Sequence, residues 1–253
     1  VGETLTDAPI NAYELPERAD WQTAAIAPIV VPVTGQQVAT APLAPPSFAP
    51  VQSAKAAIAA AQSAADRCQN LDDLRAALAQ FDHLDIKKGA RDMVFGAGDS
   101  AADVLVLSDP PQREDERAKS PYSGDAAQLL EKMFAAIGLS QSNPDPRKAL
   151  YLMPALPWRA PQDRAPTPDE LAIIRPFVAR HVALIAPKVV ILMGNAALQL
   201  GMNTTGILRA RGVWGQAFGL RALAMLTPQH LLQNPAAKRE AWADLLTLKA
   251  ALL

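Results

Sequence analysis

Cysteine is nearly absent from this chain of 253 residues, with Cys68 alone. One thiol excludes a disulfide framework and any cysteine-built metal or iron–sulfur site within the chain. It fits a reducing compartment, and the cytoplasm is the expected location. Histidine is scarce too, at three residues, and aromatics make up 5%. The formal net charge is −1, so no global field draws the chain to nucleic acid, and any basic site must be local. No apolar run reaches membrane-spanning length and no signal peptide opens the sequence, so no membrane partner is expected. A Ser-His-Asp triad is not expected either, because no nucleophile elbow is present.

What is abundant is apolar surface, at 50% of residues, and proline, at 22. Half of the composition being hydrophobic suffices for a sizeable core. The prolines gather early and in a few loops. Residues 1–52 read as a Pro/Ala-rich arm or linker without helical period, able to reach a protein partner. The globular domain is expected over 53–253. It opens on SAKAAIAAAQSAADRCQN, a strong helix former. LDDLRAALAQF follows, with Asn70 or Asp72 as cap candidates.

Short apolar strands then alternate with helices. Strands are expected at 104–107, 149–153, 188–193 and 221–226. Helices are expected at 126–137, closed by Gly138, at 168–185, opened by Thr167-Pro168, at 195–200 and at 235–250. This alternation predicts a three-layer αβα fold around a central, mostly parallel sheet.

The chemistry of such folds lies in loops at the carboxyl ends of strands. GAGDSA, residues 96–101, imitates a dinucleotide fingerprint, but a strand follows it rather than a helix, so it reads as a glycine turn. Ser108-Asp109-Pro110-Pro111 sits where a catalytic loop belongs. Asp109 there either orients water or caps a backbone amide. Glu114, Asp115 and Glu116 read as a solvated face, since neighbouring carboxylates diverge and make a poor metal site. No metal ligand set is expected. Trp158-Arg159 to Arg164 and Leu208-Arg209-Ala210-Arg211-Gly212-Val213-Trp214 are two Arg/Trp loops suited to phosphate and base contacts, or surface loops with a tucked indole. Thr227-Pro228-Gln229-His230 opens another helix. His230 is a candidate acid or base there, or a structural histidine.

VFGAG, PYSGDAAQLLEKMFAAIGL, PWRAPQDRAPTPDEL, IAPKVVILMGNAAL, ILRARGVWG and NPAAKREAWADL, in this order, resemble the uracil-DNA glycosylase superfamily, family 4. The likeness runs from about residue 71 to the C-terminus, and DAPINAY resembles that family's N-terminal arm. The resemblance implies a repair enzyme that flips uracil from DNA and cleaves its glycosidic bond. Residue by residue, it makes Ser108-Asp109-Pro110-Pro111-Gln112 the water loop, where the family has Gly-Glu-x-Pro-Gly. It makes Tyr122 the aromatic that stacks on the base. The uracil-reading asparagine falls on Pro154, which has no amide side chain. The family's histidine, which steadies charge on the departing base, falls on Thr227, and a nearby arginine falls on Gln233.

The resemblance therefore gives Asp109, Thr227 and His230 as the catalytic set. Ser108, Pro110, Tyr122 and Pro154 are the base-binding set. Arg159, Arg164, Arg209, Arg211 and Gln233 are the DNA-binding set. The family also carries a 4Fe–4S cluster. Phe81 to Lys87, Trp158 and Ile174 stand where its cysteines would be, so no cofactor is expected and apolar packing replaces it. Three functional readings stand: a degenerate member that binds DNA or a partner with uracil excision lost or strongly reduced; an active glycosylase of altered base specificity using Asp109; and a protein-interaction scaffold.

Overall fold

The computed structural model describes residues 51–252. The arm over 1–52 lies almost wholly outside them. The first helix, α1 (Val51–Asp66), buries Ala57, Ala61 and Ala65, four residues apart on one face. Small side chains there allow α1 to lie close along a later helix, α5 (Pro168–Ile185). Next comes α2 (Leu71–Gln80), which buries Leu74 and Leu78. The Asn70 side chain caps it, accepting the Asp73 N–H at 2.8 Å.

Six strands make one sheet: β1 (Ala97–Gly98), β2 (Val104–Ser108), β3 (Leu150–Pro154), β4 (Val189–Met193), β5 (Trp214–Ala217) and β6 (Leu220–Met225). Their order is β1-β3-β2-β4-β6-β5. The four central strands are parallel, and each edge strand is antiparallel to its neighbour. Every residue of β2, β3 and β4 is buried, as a sheet covered on both faces requires. Alternate residues enter two cores. Leu105, Leu107, Tyr151, Met153, Val190 and Leu192 join α1, α2 and α5 on one face. Val106, Leu152, Ile191, Met193 and Leu223 join α4 (Gly124–Ala135) and α9 (Lys238–Leu252) on the other. The expected three-layer αβα architecture is thus present.

Register positions the loops. Ser108 lies opposite both Pro154 and Met193, and Met193 lies opposite Met225. Asp109, Ala155, Gly194 and Leu226 therefore leave the sheet at one edge, the carboxyl edge of four parallel strands.

Several elements differ from the sequence reading. The glycine turn at 96–101 contains β1. Gly98 (φ +114°) is needed there, since a Cβ would stand 2.1 Å from the Leu150 carbonyl oxygen. The acidic run after the water loop is a helix, α3 (Arg113–Ala118), with Asp115 and Glu116 buried rather than solvated. Asp115 completes a capping box with Gln112, and Glu116 Oε1 accepts the Arg91 N–H at 2.7 Å. The strand β5 falls where a loop was expected. The last helix starts at Lys238, after a 3₁₀ turn at Pro235–Ala237. Among the described residues no helix is long and apolar enough to cross a membrane.

Candidate functional site

Asp109 is the first residue beyond β2, and its carboxylate reaches the start of α6 (Asn195–Met202). Its Oδ1 accepts the Ala196 N–H at 2.8 Å. Gly194, between β4 and α6, has φ +100° and ψ 176°, a region open to glycine. A Cβ at that position would stand 2.0 Å from Asp109 Oδ2. The carboxylate and the missing side chain thus occupy one place. Burial pushes the Asp109 carboxyl above its ordinary range, and the amides of Ala196, Ala197 and Asn195 pull it back.

Asp109 borders two cavities. The smaller, of about 70 Å³, is lined by Asp109, Pro110, Gln112, Pro121, Tyr122, Thr227 and Gln229. It brings together Asp109, Tyr122 and Thr227, three positions that the resemblance singles out. Its volume is well below the roughly 300 Å³ at the lower end of small-molecule sites. Tyr122 is only 4% exposed. Its ring belongs to the core beside Met193, whose sulfur lies 3.7 Å from the phenol oxygen, and burial pushes the phenol pKa up.

Thr227 caps α8 (Pro228–Gln233). Its Oγ1 accepts the His230 N–H at 3.2 Å, which leaves the hydroxyl proton free to donate. His230 is half-buried on α8, and its side chain borders neither cavity. Ser108 is turned inward, its hydroxyl donating to the Asp109 carbonyl at 3.0 Å. Pro154 also stands apart. It borders a void of about 10 Å³ with Phe95, Ile174, Phe177 and His181 on the other side of β3.

The DNA-binding candidates divide sharply. Arg159 lies 2.8 Å from Asp163 and 3.5 Å from Glu116. Its Nε is buried without a hydrogen-bond partner. Arg164 forms a two-pronged pair with Glu170, at 2.6 and 2.8 Å, and holds that carboxyl below its ordinary range. Arg211 forms a two-pronged pair with Asp244, at 2.6 and 3.0 Å, and reaches Glu240. Burial pushes Asp244 up, and Arg211 opposes it. Arg209 is exposed on α7 (Ile207–Ala210), with no carboxylate partner among the described residues. Gln233 is exposed and borders a groove with Glu114, Asp115 and Asp125.

Residues without an assigned role complete the site. Asn195 lines the second cavity, and Gly194 seats Asp109. Their sequence signal is Gly-Asn directly after a parallel strand, at the edge where such folds bind ligands.

The residues present do not fit a 4Fe–4S cluster, which takes four thiolates. Phe81, Leu84, Ile86, Trp158 and Ile174 are buried in one apolar core. The void beside Ile174 is only about 10 Å³ and is lined mostly by apolar side chains. Lys87 Nζ closes the loop after α2, donating to the carbonyls of Ala79 and Phe81 and to Asp82. Cys68 donates its thiol to the Ala64 carbonyl.

The family model for the uracil DNA glycosylase superfamily matches residues 95–246. The type-4 uracil-DNA glycosylase of Archaeoglobus fulgidus is 27% identical over 187 residues, spanning 70% of this chain and 90% of that protein. That of Saccharolobus solfataricus is 24% identical over 193 residues, spanning 72% and 87%. That of Thermotoga maritima is 25% identical over 147 residues, spanning 56% and 72%. The matched segment runs from two residues before β1 into α9 and contains all four parallel strands with the loops that frame Asp109; the chain belongs to the uracil DNA glycosylase superfamily, as a family-4-like member.

Proposed function

We propose that this protein keeps the fold of a DNA-repair glycosylase with uracil excision lost or strongly reduced, and that its carboxyl-edge loops engage DNA or a partner. One observation carries the reading: the cavity joining Asp109, Tyr122 and Thr227 is about 70 Å³ and is lined by no cationic side chain among the described residues. A departing uracil develops negative charge. Removing one donor aimed at such charge costs about 3–4 kcal/mol of transition-state stabilisation. Uracil's polar edges would also stay unpaired, because Pro154 offers no amide. The remaining carboxylate is fastened to α6, which favours a structural role for it.

The test is a glycosylase assay of the full chain on single- and double-stranded uracil DNA, beside a type-4 enzyme. Product at background is expected. Turnover at the rate of the reference enzyme refutes the reading.

A second reading, a glycosylase of altered base specificity using Asp109, is favoured by the raised pKa of that carboxyl and by the larger cavity it borders. It requires excision of some damaged base that Asp109→Asn abolishes; inactivity across a lesion panel counts against it. The third reading, a protein-interaction scaffold with the arm recruiting a partner, predicts DNA binding that is weak at every salt concentration.

A further inference from the structure

The last helix, α9, leaves one face uncovered. It buries Ala241, Asp244, Leu245 and Leu248 on its inner side. Its outer side carries Trp242, 44% exposed, and Leu246, 46% exposed. The other large apolar side chains exposed among the described residues are Leu208, Val213 and Leu232, and no two of these share a helix. Trp242 and Leu246 are four residues apart, so their side chains lie in one stripe. Arg239 and Lys249 continue that stripe at its two ends, giving the spacing i, i+3, i+7, i+10. From Arg239 to Lys249 the helix rises about 15 Å.

Charge divides α9 into two sides. Its two acidic residues, Glu240 and Asp244, both pair with Arg211. Its cations, Lys238, Arg239 and Lys249, are exposed, and none forms an ion pair among the described residues. The stripe is therefore two large apolar side chains set between cations, with no carboxylate along it.

The spacing and the charge together select an occupant. Side chains at i, i+3, i+7 and i+10 form the seam that one helix offers another. A second copy of this helix does not fit. Matching Trp242 and Leu246 to their counterparts sets Arg239 against Lys249 when the helices run antiparallel, and each cation against itself when they run parallel. A membrane surface does not fit either, because interfacial helices bind in proportion to buried apolar area and this face has only two large apolar side chains. A nucleic-acid strand meets the cations and can stack a base on Trp242, but it leaves Leu246 without an apolar partner.

We propose that the outer face of α9 docks an acidic amphipathic helix of a partner protein, two apolar residues of that helix covering Trp242 and Leu246 while its carboxylates meet Arg239 and Lys249. Trp242 is the anchor, since tryptophan is favoured where a few residues carry the binding energy. The cations at the two ends select an acidic partner and fix its register. Docking there requires neither base excision nor the loops at the carboxyl edge.

The test is fluorescence anisotropy of labelled peptides titrated with the full chain. The acidic probe is an alanine-based helical peptide with Glu, Leu, Leu and Glu at i, i+3, i+7 and i+10. The basic control has Lys in place of both Glu. The acidic peptide is expected to bind saturably with a Kd below about 1 mM, and the basic control is not. Trp242→Ala should weaken the acidic peptide by about thirtyfold, the worth of an anchor residue. Arg239→Glu combined with Lys249→Glu should exchange the preferences, so that the basic peptide binds and the acidic one does not. All three positions are exposed, and far-UV circular dichroism checks that the variants keep the fold. No saturable binding of the acidic peptide overturns the proposal, as does equal binding of the two peptides or binding that neither variant changes. An all-thymine single strand and vesicles of phosphatidylcholine with phosphatidylserine are titrated alongside. Saturable binding of either that Trp242→Ala abolishes would assign the face to nucleic acid or lipid and overturn the protein partner. These titrations read binding and not product, so their failure would leave the loss of uracil excision standing.

Discussion

Gly194→Ala tests whether Asp109 is seated as described. The new Cβ would fall 2.0 Å from Oδ2 and 2.2 Å from Cγ, inside any tolerated contact, so the carboxylate must leave. The backbone at φ +100°, ψ 176° adds strain of about 1–3 kcal/mol for a residue with a Cβ. Losing the Ala196 hydrogen bond to a charged group adds about 1.5–3 kcal/mol. The single substitution should therefore cost about 2.5–6 kcal/mol. Asp109→Ala alone should cost about 1.5–3 kcal/mol, because it loses that hydrogen bond and causes no strain. The double variant should be no worse than Gly194→Ala, since one hydrogen bond can be lost only once. The two single costs then exceed the double by about 1.5–3 kcal/mol. Urea unfolding at pH 7, monitored by tryptophan fluorescence and far-UV circular dichroism, gives all four values. Additivity within about 0.5 kcal/mol would mean that the two positions do not meet, and the seating of Asp109 against α6 would be wrong.

Other outcomes follow from single groups. His181 is buried, stacked on Phe95 at 4.4 Å and bonded to the Tyr151 hydroxyl at 2.8 Å, and burial lowers its pKa to about 3. Between pH 6.5 and 3 the unfolded chain binds this proton and the fold does not, so stability falls by up to about 1.4 kcal/mol per pH unit of acidification; His181→Gln should lose this acid-sensitive part, seen as a smaller shift of the urea midpoint between pH 7 and 4.5. Arg211→Met should destabilise by about 3 kcal/mol, because Asp244 is left buried without its partner, and Asp244→Asn in the same chain should recover part of that loss in thermal melts. Thr227→Ala removes the α8 cap and should cost about 1 kcal/mol, with uracil excision still at background. Arg209→Ala should lower the salt dependence of any DNA binding by about one phosphate contact, whereas Arg164→Ala should leave it nearly unchanged.

The four parallel strands were legible because each is an apolar run between polar loops, and a strand buried on both faces needs nothing else in its sequence. The edge strand β5 was not. Trp214, Gly215 and Gln216 have no alternation, and Ala217 is its only buried residue. The acidic helix α3 was hidden for a similar reason. Charge suggests solvent, while Glu116 is buried against the Arg91 N–H and Asp115 against the Gln112 N–H and the Ser123 hydroxyl. At the site, the positions of Asp109, Tyr122 and Thr227 could be read from order along the chain. The partners of the arginines could not. Glu170 lies close to Arg164 in sequence, but Asp244 lies 33 residues beyond Arg211, and that distance closes only when α9 docks on the sheet. Asn195 went without a role because its meaning depends on Gly206 and Ile207 fixing its oxygen.

The two ends of the sheet have a consequence for the behaviour of many copies together. Among the described residues the outer strands of the sheet are β1, with two residues, and β5, with four. Short edges present few unpaired backbone groups to a neighbouring chain. On β5 the exposed Gln216 and the cationic Arg221, stacked 4.6 Å over Trp214 from the adjoining strand, further discourage a flat approach. Strand-to-strand aggregation would have to begin from a partly unfolded chain, so resistance to it should track unfolding stability rather than protein concentration alone.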